Sequence, residues 1–226
     1  MFTGLIQSLG TLEPLGETQL KVTCLKGGHQ SAAIAHPILS DMALGDSIAV
    51  DGVCLTVESK LPQGFVASAS PETLQRSTLG QLPADAVVNL ESSLRVGSKI
   101  GGHFVTGHVD GIGYFESSQA IDNAWDIRFS VPEPRVARYI VSKGSIAVNG
   151  ISLTVADCSQ SGDWFSIAVI PVTYDETSLS SLIPGQRVNL EADILGKYVE
   201  KFLRSSPAES DKPDLSLSFL ADHGYI

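Results

Sequence analysis

Residues 47–57, SIAVDGVCLTV, recur as residues 145–155, SIAVNGISLTV, with eight of the eleven positions identical. Three shorter matches lie in the same order: TG at 3–4 and 106–107, STL at 77–79 with TSL at 177–179, and VNLE at 88–91 and 188–191. The offset stays between 98 and 103 residues. So constant an offset indicates two similar domains rather than a solenoid of short units. We predict a first domain at residues 1–97, a second at 98–195, and a C-terminal helix and tail at 196–226.

Each repeat has the residue pattern of an all-β domain. The dipeptides Asp51-Gly52 and Asn149-Gly150 separate two apolar runs and favour a type I′ hairpin, in which both central residues have positive φ. Turn signals separate further strand-like runs at short intervals, which predicts a small barrel or sandwich. These runs are residues 19–24, 64–69, 87–90, 125–131, 164–170 and 188–190. Short helices are predicted at residues 37–42, 71–75 and 132–139, each starting at a proline.

Composition excludes several classes of partner. The net charge of -10 supplies no cationic surface for nucleic acid or for an acidic membrane leaflet, so a small and nearly neutral ligand fits better. No apolar run reaches the roughly 18 residues of a membrane span, and the N-terminus lacks the pattern of a secretory signal. The odd, scattered set Cys24, Cys54 and Cys158 indicates free thiols in a reducing cytosol and argues against zinc. We expect a cytoplasmic protein.

The recurring strand carries two small polar side chains at the same place in each repeat. Since side chains alternate across a strand, Cys54 shares a face with Thr56, and Ser152 shares the equivalent face with Thr154. The leucine between each pair is expected to pack in a core. One such pair would be an ordinary wet β-face. Two pairs in register favour two sites that hydrogen-bond the edge of a polar ring.

Single residues are weaker candidates. His108 has the side chain that most often carries protons near neutral pH, although a lone histidine is more often structural. His103 lies five residues earlier, a spacing that suits neither a helical metal pair nor one face of a strand. Lys143 and Asp193 are by default surface charges, and Cys54 by default an inert thiol. The glycines around both histidines match no phosphate-binding or dinucleotide-binding fingerprint, and a flexible link with β-bulges explains them as well as a ligand does.

Residues 194–206, ILGKYVEKFLRSS, have helical periodicity. The apolar stripe consists of Ile194, Leu195, Tyr198, Val199, Phe202 and Leu203; the polar side consists of Lys197, Glu200, Lys201 and Arg204. An amphipathic helix buries its apolar stripe, and two alternatives stay open: packing on its own domain, or a subunit interface.

Together these residues resemble the riboflavin synthase family of two-repeat, lumazine-binding proteins. The resemblance rests on the start MFTGLI, the pair DGVCLTV and NGISLTV, the stretch GGHFVTGHVDG, and VNLEADILGKYVEK, and it covers residues 1–204. It implies two similar six-stranded Greek-key barrels in tandem plus a C-terminal amphipathic helix that joins homotrimers. It also implies that two molecules of 6,7-dimethyl-8-ribityllumazine give riboflavin and 5-amino-6-ribitylamino-2,4-pyrimidinedione by four-carbon transfer. No cofactor or metal is expected.

The resemblance assigns site residues to two pockets, each expected to present its hydroxyl-bearing strand inward and to grip one heterocycle. His108, Ser47 and Asp193 match positions proposed to act in catalysis, and Cys54 and Ser152 are further candidate nucleophiles. Phe2 is expected to contact a substrate ring. The first pocket is expected to contain Gly4, Leu5, Ile6, Cys54, Leu55, Thr56, Ser68, Ala69, Ser70, Pro71, Glu72 and Thr73. The second is expected to contain Gly107, His108, Val109, Lys143, Ser152, Leu153, Thr154, Ala168, Val169, Ile170, Pro171, Val172 and Thr173.

One position departs from the family pattern. Val172 stands where the family usually has a glutamate or histidine, so that side-chain contact is either dispensable or supplied from elsewhere, for example by Tyr174. Two rival functions stay open. A non-catalytic lumazine- or flavin-binding antenna protein of the same fold would be expected to lose polar positions in one repeat. A flavin reductase would need a nicotinamide-binding domain, for which the remaining residues are too few.

Overall fold

The computed structural model describes residues 1–25, 36–205 and 217–225, and it contains two closed barrels of six antiparallel strands. The first barrel has the strand order β1-β2-β5-β4-β3-β6, and the second has the same order one repeat later. The strands of the first barrel are β1 Ser8–Pro14, β2 Gln19–Cys24, β3 Ser47–Val50, β4 Val53–Leu61, β5 Gly64–Ser68 and β6 Ala86–Ser92. Those of the second are β7 Gly111–Ile121, β8 Ala124–Ser130, β9 Ser145–Val148, β10 Ile151–Cys158, β11 Trp164–Val169 and β12 Arg187–Ala192. The predicted tandem of six-stranded barrels is confirmed.

The described residues also form five α-helices: α1 Pro71–Arg76, α2 Pro134–Ala137, α3 Pro171–Asp175, α4 Ile194–Ser205 and α5 Leu217–Asp222. The predicted helix at residues 37–42 is wrong, because residues 37–41 form turns. Two hydrogen bonds of helical spacing, Ser40 N–H to His36 O and Met42 N–H to Ile38 O, occur there without a consecutive run. Part of the predicted tail, residues 206–216, lies outside the described residues.

The sequence pattern did not predict strands β1 and β7, because glycine interrupts their apolar pattern. Gly10 and Gly113 occupy equivalent places and lie against the core leucine of the neighbouring strand. A Cβ on Gly10 would come within 2.7 Å of Leu90 Cδ1, and one on Gly113 would come within 2.7 Å of Leu190 Cδ1. Glycine at these positions therefore reflects close packing inside a strand rather than a break in it.

The strands that carry the repeat place their leucine and valine side chains inside the barrels, as predicted. Leu55 and Val57 belong to the first core, and Leu153 and Val155 belong to the second. The threonines between them, Thr56 and Thr154, are exposed on the outer surface. The prediction that the hydroxyl-bearing faces point inward is therefore wrong: alternation gives the interior to the apolar side chains.

The two barrels meet through their hairpin turns. The turn residues have positive φ as predicted: 45° and 76° at Asp51 and Gly52, and 46° and 79° at Asn149 and Gly150. Across the interface, the Asn89 side chain donates to Asn149 O at 2.9 Å, and the Asn189 side chain donates to Asp51 O at 2.8 Å. The asparagine of each VNLE copy thus ties its own barrel to the other.

Gly52 and Gly150 lie back to back, so a side chain at either position is expected to separate the barrels. A Cβ on Gly52 would lie 2.6 Å from Gly150 N. We predict that Gly52→Ala lowers the free energy of unfolding by about 1–3 kcal/mol more than Gly45→Ala. Gly45 is the matched control, because it has a similar φ of +85° with nothing within 4 Å of its Cβ position. Equal urea midpoints for the two variants would contradict the prediction.

The C-terminal helix α4 does not bury its apolar stripe on its own barrel. Two residues of its polar side contact the barrel instead: Lys197 pairs with Asp110 at 2.6 Å, and Glu200 pairs with Arg138 at 3.1 Å and accepts a hydrogen bond from the Tyr139 hydroxyl. The apolar side chains Leu195, Tyr198, Val199, Phe202 and Leu203 are each more than half exposed. Of the two alternatives, packing of the stripe on its own domain is excluded.

Within the described residues, no helix is both long and apolar enough to cross a membrane.

Candidate functional site

Each candidate site combines a strand of one barrel with a loop that belongs to the other repeat. At the second barrel, the main chain of Ser152 donates to Gly4 O at 2.8 Å. At the first barrel, the main chain of Cys54 donates to Gly107 O at 2.9 Å. The predicted grouping of Gly4 with Cys54, and of Gly107 with Ser152, is therefore wrong. We call the surface around Cys54, Thr56 and Gly107 the first site, and the surface around Ser152, Thr154 and Gly4 the second site.

The loops that contain Gly4 and Gly107, here called the exchanged loops, are joined to each other where the two barrels meet. Phe2 and Val105 form an isolated β-bridge, with hydrogen bonds of 2.7 and 3.1 Å in the two directions. Beyond this bridge, Ile6 packs against the second core and Val109 packs against the first. The crossing is non-local, and a comparison of the two repeats alone does not reveal it.

A buried glutamate holds each loop in place. Glu191 accepts hydrogen bonds from Thr106 N–H at 2.6 Å, the Thr106 hydroxyl at 2.7 Å, Gly107 N–H at 3.0 Å and His108 N–H at 3.1 Å. Glu91 accepts from Thr3 N–H and the Thr3 hydroxyl at 2.7 Å each, and from Gly4 N–H at 2.9 Å. Burial raises the pKa of both carboxyls, and these hydrogen bonds oppose the rise. These glutamates ended the VNLE repeat in the sequence, but only the fold assigns them a role.

The first site places three of the predicted catalytic residues on neighbouring elements. Ser47 on β3 lies opposite Thr56 on β4, and Ala49 lies opposite Cys54. The adjoining loop continues from Gly107 to His108, whose side chain is exposed and lines a groove with Thr106 and Tyr198. The first barrel thus presents the Cys54 thiol and the hydroxyls of Ser47 and Thr56 on its outer face, while the His108 imidazole lies in the groove beside α4.

The second site repeats this arrangement with different chemistry. Ser145 lies opposite Thr154, as Ser47 does opposite Thr56 in the first site. The Ser152 hydroxyl lies 2.7 Å from His103 Nδ1. Ser145 and Asp193 line a groove that Leu195 and Val199 of α4 also line. His103 was not predicted as a site residue. The sequence feature that could have indicated it is the Gly101-Gly102 pair before it. The structure explains this pair, because a Cβ on Gly102 would lie 2.7 Å from Ser152 Oγ.

Lys143 occupies a strained position that its repeat partner fills with glycine. Lys143 has a φ of 66°, and the equivalent Gly45 has a φ of 85°. Each donates its main-chain N–H to the same place on its barrel, Lys143 to Val155 O and Gly45 to Val57 O. A side chain that is not glycine costs energy in this conformation, and such outliers concentrate at functional sites. In this structure the Lys143 ammonium group donates to Ala156 O at 3.3 Å.

The segments at residues 68–73 and 168–173 differ at their helix starts. Ser70 caps α1 by accepting a hydrogen bond from Thr73 N–H at 3.1 Å, and Ile170 at the equivalent position of α3 has no side-chain cap. Val172 is exposed. Tyr174 does not replace the missing polar contact, because its ring stacks on Trp125 and its hydroxyl lies 3.4 Å from Ser118 Oγ. The structure thus commits Tyr174 to the wall of the second barrel.

Several predicted binding residues turn their side chains away from any ligand. Phe2 is fully buried and packs with Ala49, Val105 and Ala147, so its ring is not presented to a substrate in this structure. The prediction of a ring contact by Phe2 is corrected to a packing role between the barrels. The side chains of Leu55, Ala69, Leu153 and Val169 face the cores, which leaves only their main chain to a ligand.

The three cysteines are free thiols, as predicted. Cys24 is buried, and loss of hydration raises the pKa of its thiol to about 11, so it is inert. Cys54 is half-buried at the first site. Among the residues described here, no group of three or more His, Cys, Asp or Glu side chains is arranged to hold a metal ion.

Comparison with known proteins agrees with this architecture. The lumazine binding domain family matches twice, at residues 3–93 and 106–193. Riboflavin synthases from Actinobacillus pleuropneumoniae and Bacillus subtilis are 41% and 36% identical to this chain over the full length of both partners. The riboflavin synthase of Mycobacterium bovis is 44% identical, over 91% of this chain and all of its own.

Solved structures show the same fold. A crystal structure of LumP complexed with riboflavin superposes with a TM-score of 0.72 at 22% identity, covering 85% of this chain and 99% of LumP. LumP complexed with 6,7-dimethyl-8-(1'-D-ribityl) lumazine gives a TM-score of 0.70. Paired barrels with paired outer-surface sites thus define a two-repeat lumazine-binding protein. Within that class, the chain belongs to the riboflavin synthase family, since full-length relatives of that name share 36–44% of its sequence.

Proposed function

We infer that this chain is a riboflavin synthase, a transferase that converts two molecules of 6,7-dimethyl-8-ribityllumazine into riboflavin and 5-amino-6-ribitylamino-2,4-pyrimidinedione. The observation that carries the inference is the presence of two repeat-related sites in one chain, each built from a polar strand and an exchanged glycine loop. A reaction between two copies of one substrate needs two similar pockets. Full-length relatives of the same name support this conclusion.

The proposed mechanism starts from orientation. Holding two substrate rings face to face removes an entropic barrier of up to about 7–11 kcal/mol. The methyl group on ring carbon 7 must then lose a proton, and acid–base help contributes roughly 10²–10⁴-fold. His108 and Ser47 are the proposed proton carriers, as the family resemblance implies. Lys143, Thr56 and Thr154 are proposed to bind substrate.

The nucleophile that adds to the acceptor ring is proposed to come from Cys54, Ser152, water positioned by Asp193, or a ribityl hydroxyl. Cys54→Ser separates the first of these from the rest, because it keeps a small polar side chain and removes the thiolate. We expect turnover of the variant to stay within about threefold of the wild type, since the second site works with serine at the equivalent position. A loss of about 100-fold or more would assign the nucleophile to Cys54.

The proposed assembly is a homotrimer joined through α4, with substrates meeting between the first barrel of one subunit and the second barrel of its neighbour. The exposed apolar stripe of α4 supports this assembly, because its polar side already engages the barrel. The proposed occupant of the stripe is a second copy of this chain, as the family resemblance implies. The protein is further proposed to be cytoplasmic and to associate with lumazine synthase.

Substitutions on the two sides of α4 test the assembly. We predict that Val199→Glu converts the trimer to monomers and abolishes turnover, since it places a charge in an apolar interface. Lys201→Glu is the control, because Lys201 is an exposed residue of the same helix. Light scattering and turnover measure both variants. A monomeric wild type, or a fully active monomeric Val199→Glu variant, would contradict the proposed trimer.

Incubation with the lumazine alone tests the proposed function. We expect riboflavin to appear at half the molar rate of lumazine loss, without added reductant. The rival antenna function predicts tight binding with persistent lumazine fluorescence and no riboflavin. Ser152, Thr154, His108 and Lys143 are all present in the second repeat, which favours catalysis over this rival.

A further inference from the structure

Beyond the predicted site residues, the second site contains a buried histidine in contact with its serine. His103 is only 8% exposed, and its Nδ1 atom lies 2.7 Å from Ser152 Oγ. Its other ring nitrogen, Nε2, is buried without a hydrogen-bond partner in the part of the chain described here. Buried polar atoms are nearly always paired, so an imidazole with one free nitrogen is an unusual choice for a merely structural position.

The surroundings keep this imidazole neutral near pH 7. Loss of hydration on burial lowers the pKa of His103, and the negative charge of Asp193 partly opposes that effect. With its proton on Nε2, the neutral ring presents a lone pair at Nδ1. The Ser152 hydroxyl can then donate to Nδ1, which leaves the lone pairs of Oγ directed away from the histidine. This is the arrangement of a serine paired with a general base.

The first site lacks this pair. Cys54 stands where the second site has Ser152. A Cβ added to Gly107 would lie 2.5 Å from Cys54 Cβ and 3.0 Å from the Phe2 ring. Within the described residues, no hydrogen bond joins a histidine ring to the Cys54 thiol. The two sites are therefore alike in shape and different in the chemistry of this one position.

We propose that Ser152 and His103 form a proton relay at the second site. Ser152 takes a proton from the substrate and passes its own proton to His103, which is the positioning residue. The proposal rests on the proposed function. In the step, the C–H bond of the 7-methyl group breaks and its electron pair delocalises into the lumazine ring. The methyl proton passes to Ser152 Oγ while the serine proton passes to His103 Nδ1. The products are a substrate carbanion and an imidazolium, and no oxidant or reductant is needed.

The relay makes the second site the one that generates the carbanion. Asp193 is the charged group whose field acts on His103, and its negative charge favours the imidazolium formed in the step. The carbanion would then attack the lumazine held at the first site of a neighbouring subunit. The two sites therefore have different roles because of one difference: Ser152 at the second site has His103 beside it, and Cys54 at the first site has no histidine partner among the described residues.

His103→Asn tests the relay, because the asparagine side chain is short enough to keep an oxygen near the Nδ1 position and cannot accept a proton. We expect kcat to fall by about 10²–10⁴-fold with KM changed less than threefold. The wild-type kcat should fall as pH drops through the lowered pKa of His103, and that acid limb should be absent in the variant. The double variant with Ser152→Ala should be no slower than the slower single variant, because the two residues act as one unit.

Deuterium incorporation into the 7-methyl group of bound lumazine provides a second readout that does not need both sites. The protein-dependent exchange rate should fall in His103→Asn and in Ser152→Ala. Retained kcat, retained exchange and an unchanged acid limb in His103→Asn would overturn the relay. Absence of riboflavin with the wild type would overturn the proposed function instead, which keeps the two failures distinct. Lumazine binding at two sites per chain confirms that each variant is folded.

Discussion

Glu191→Ala is expected to abolish ligand binding at the first site and to leave the second site occupied. The substitution removes all four hydrogen bonds that hold the loop from Thr106 to His108 against Cys54. Three of the four donors are main-chain N–H groups that cannot pair elsewhere without moving the loop. We expect affinity at the first site to fall by at least about 100-fold, equivalent to roughly 3 kcal/mol, and turnover to fall with it.

The crossed arrangement makes this prediction specific. Glu191 lies on the second barrel, yet the site it supports lies on the first. Glu91→Ala is the matched variant and should empty the second site, because Glu91 holds Thr3 and Gly4 against Ser152. Calorimetric titration with a substrate analogue counts the sites. Two sites should become one in each variant, and Thr106→Val, which deletes a single bond, should weaken the first site less. Loss of the second site in Glu191→Ala would refute the crossed arrangement.

Asp51→Asn is expected to stabilise the protein at alkaline pH and to leave its stability unchanged near pH 4. Asp51 is buried where the barrels meet, and loss of hydration raises the pKa of its carboxyl to about 7, a rise that the Asn89 N–H partly opposes. The folded chain therefore holds a proton between about pH 4 and 7 that the unfolded chain releases. Stability falls as pH rises through this range, by up to roughly 4 kcal/mol for this shift. An asparagine amide at this position has no proton to lose in the range, so the variant should not show the fall.

The second repeat supplies the control for this prediction. Asn149 stands at the equivalent turn position and accepts the Asn189 N–H at 2.7 Å, as Asp51 accepts the Asn89 N–H at 2.8 Å. Asn149→Asp should add a second loss of stability with rising pH. Urea unfolding at about pH 4 and pH 8 measures all three proteins. Parallel pH dependence in wild type and Asp51→Asn would show that the carboxyl is already charged in the folded state.

The sequence predicted the elements that depend on local pattern. Alternation of Leu55 with Thr56 assigned one face of the strand to the core, and the Asp51-Gly52 dipeptide required positive φ at both turn residues. The duplication predicted two equivalent domains and placed a polar pair on each. By contrast, the glycines in β1 and β7 are needed because each packs closely against a leucine on a neighbouring strand, about 80 residues away along the chain. Nothing local to Gly10 or Gly113 indicates that contact.

The tertiary structure alone decided how the two halves share their sites. The exchange of Gly4 and Gly107, the loop-holding carboxylates of Glu91 and Glu191, and the contact of His103 with Ser152 all join residues 49 or more positions apart. The outward direction of the α4 stripe depends on ion pairs to residues of the second barrel. Local sequence determines which way a side chain alternates and which turns close, because those choices depend on backbone sterics between near neighbours. It does not determine which distant surfaces meet, because that is settled by the packing of the whole chain.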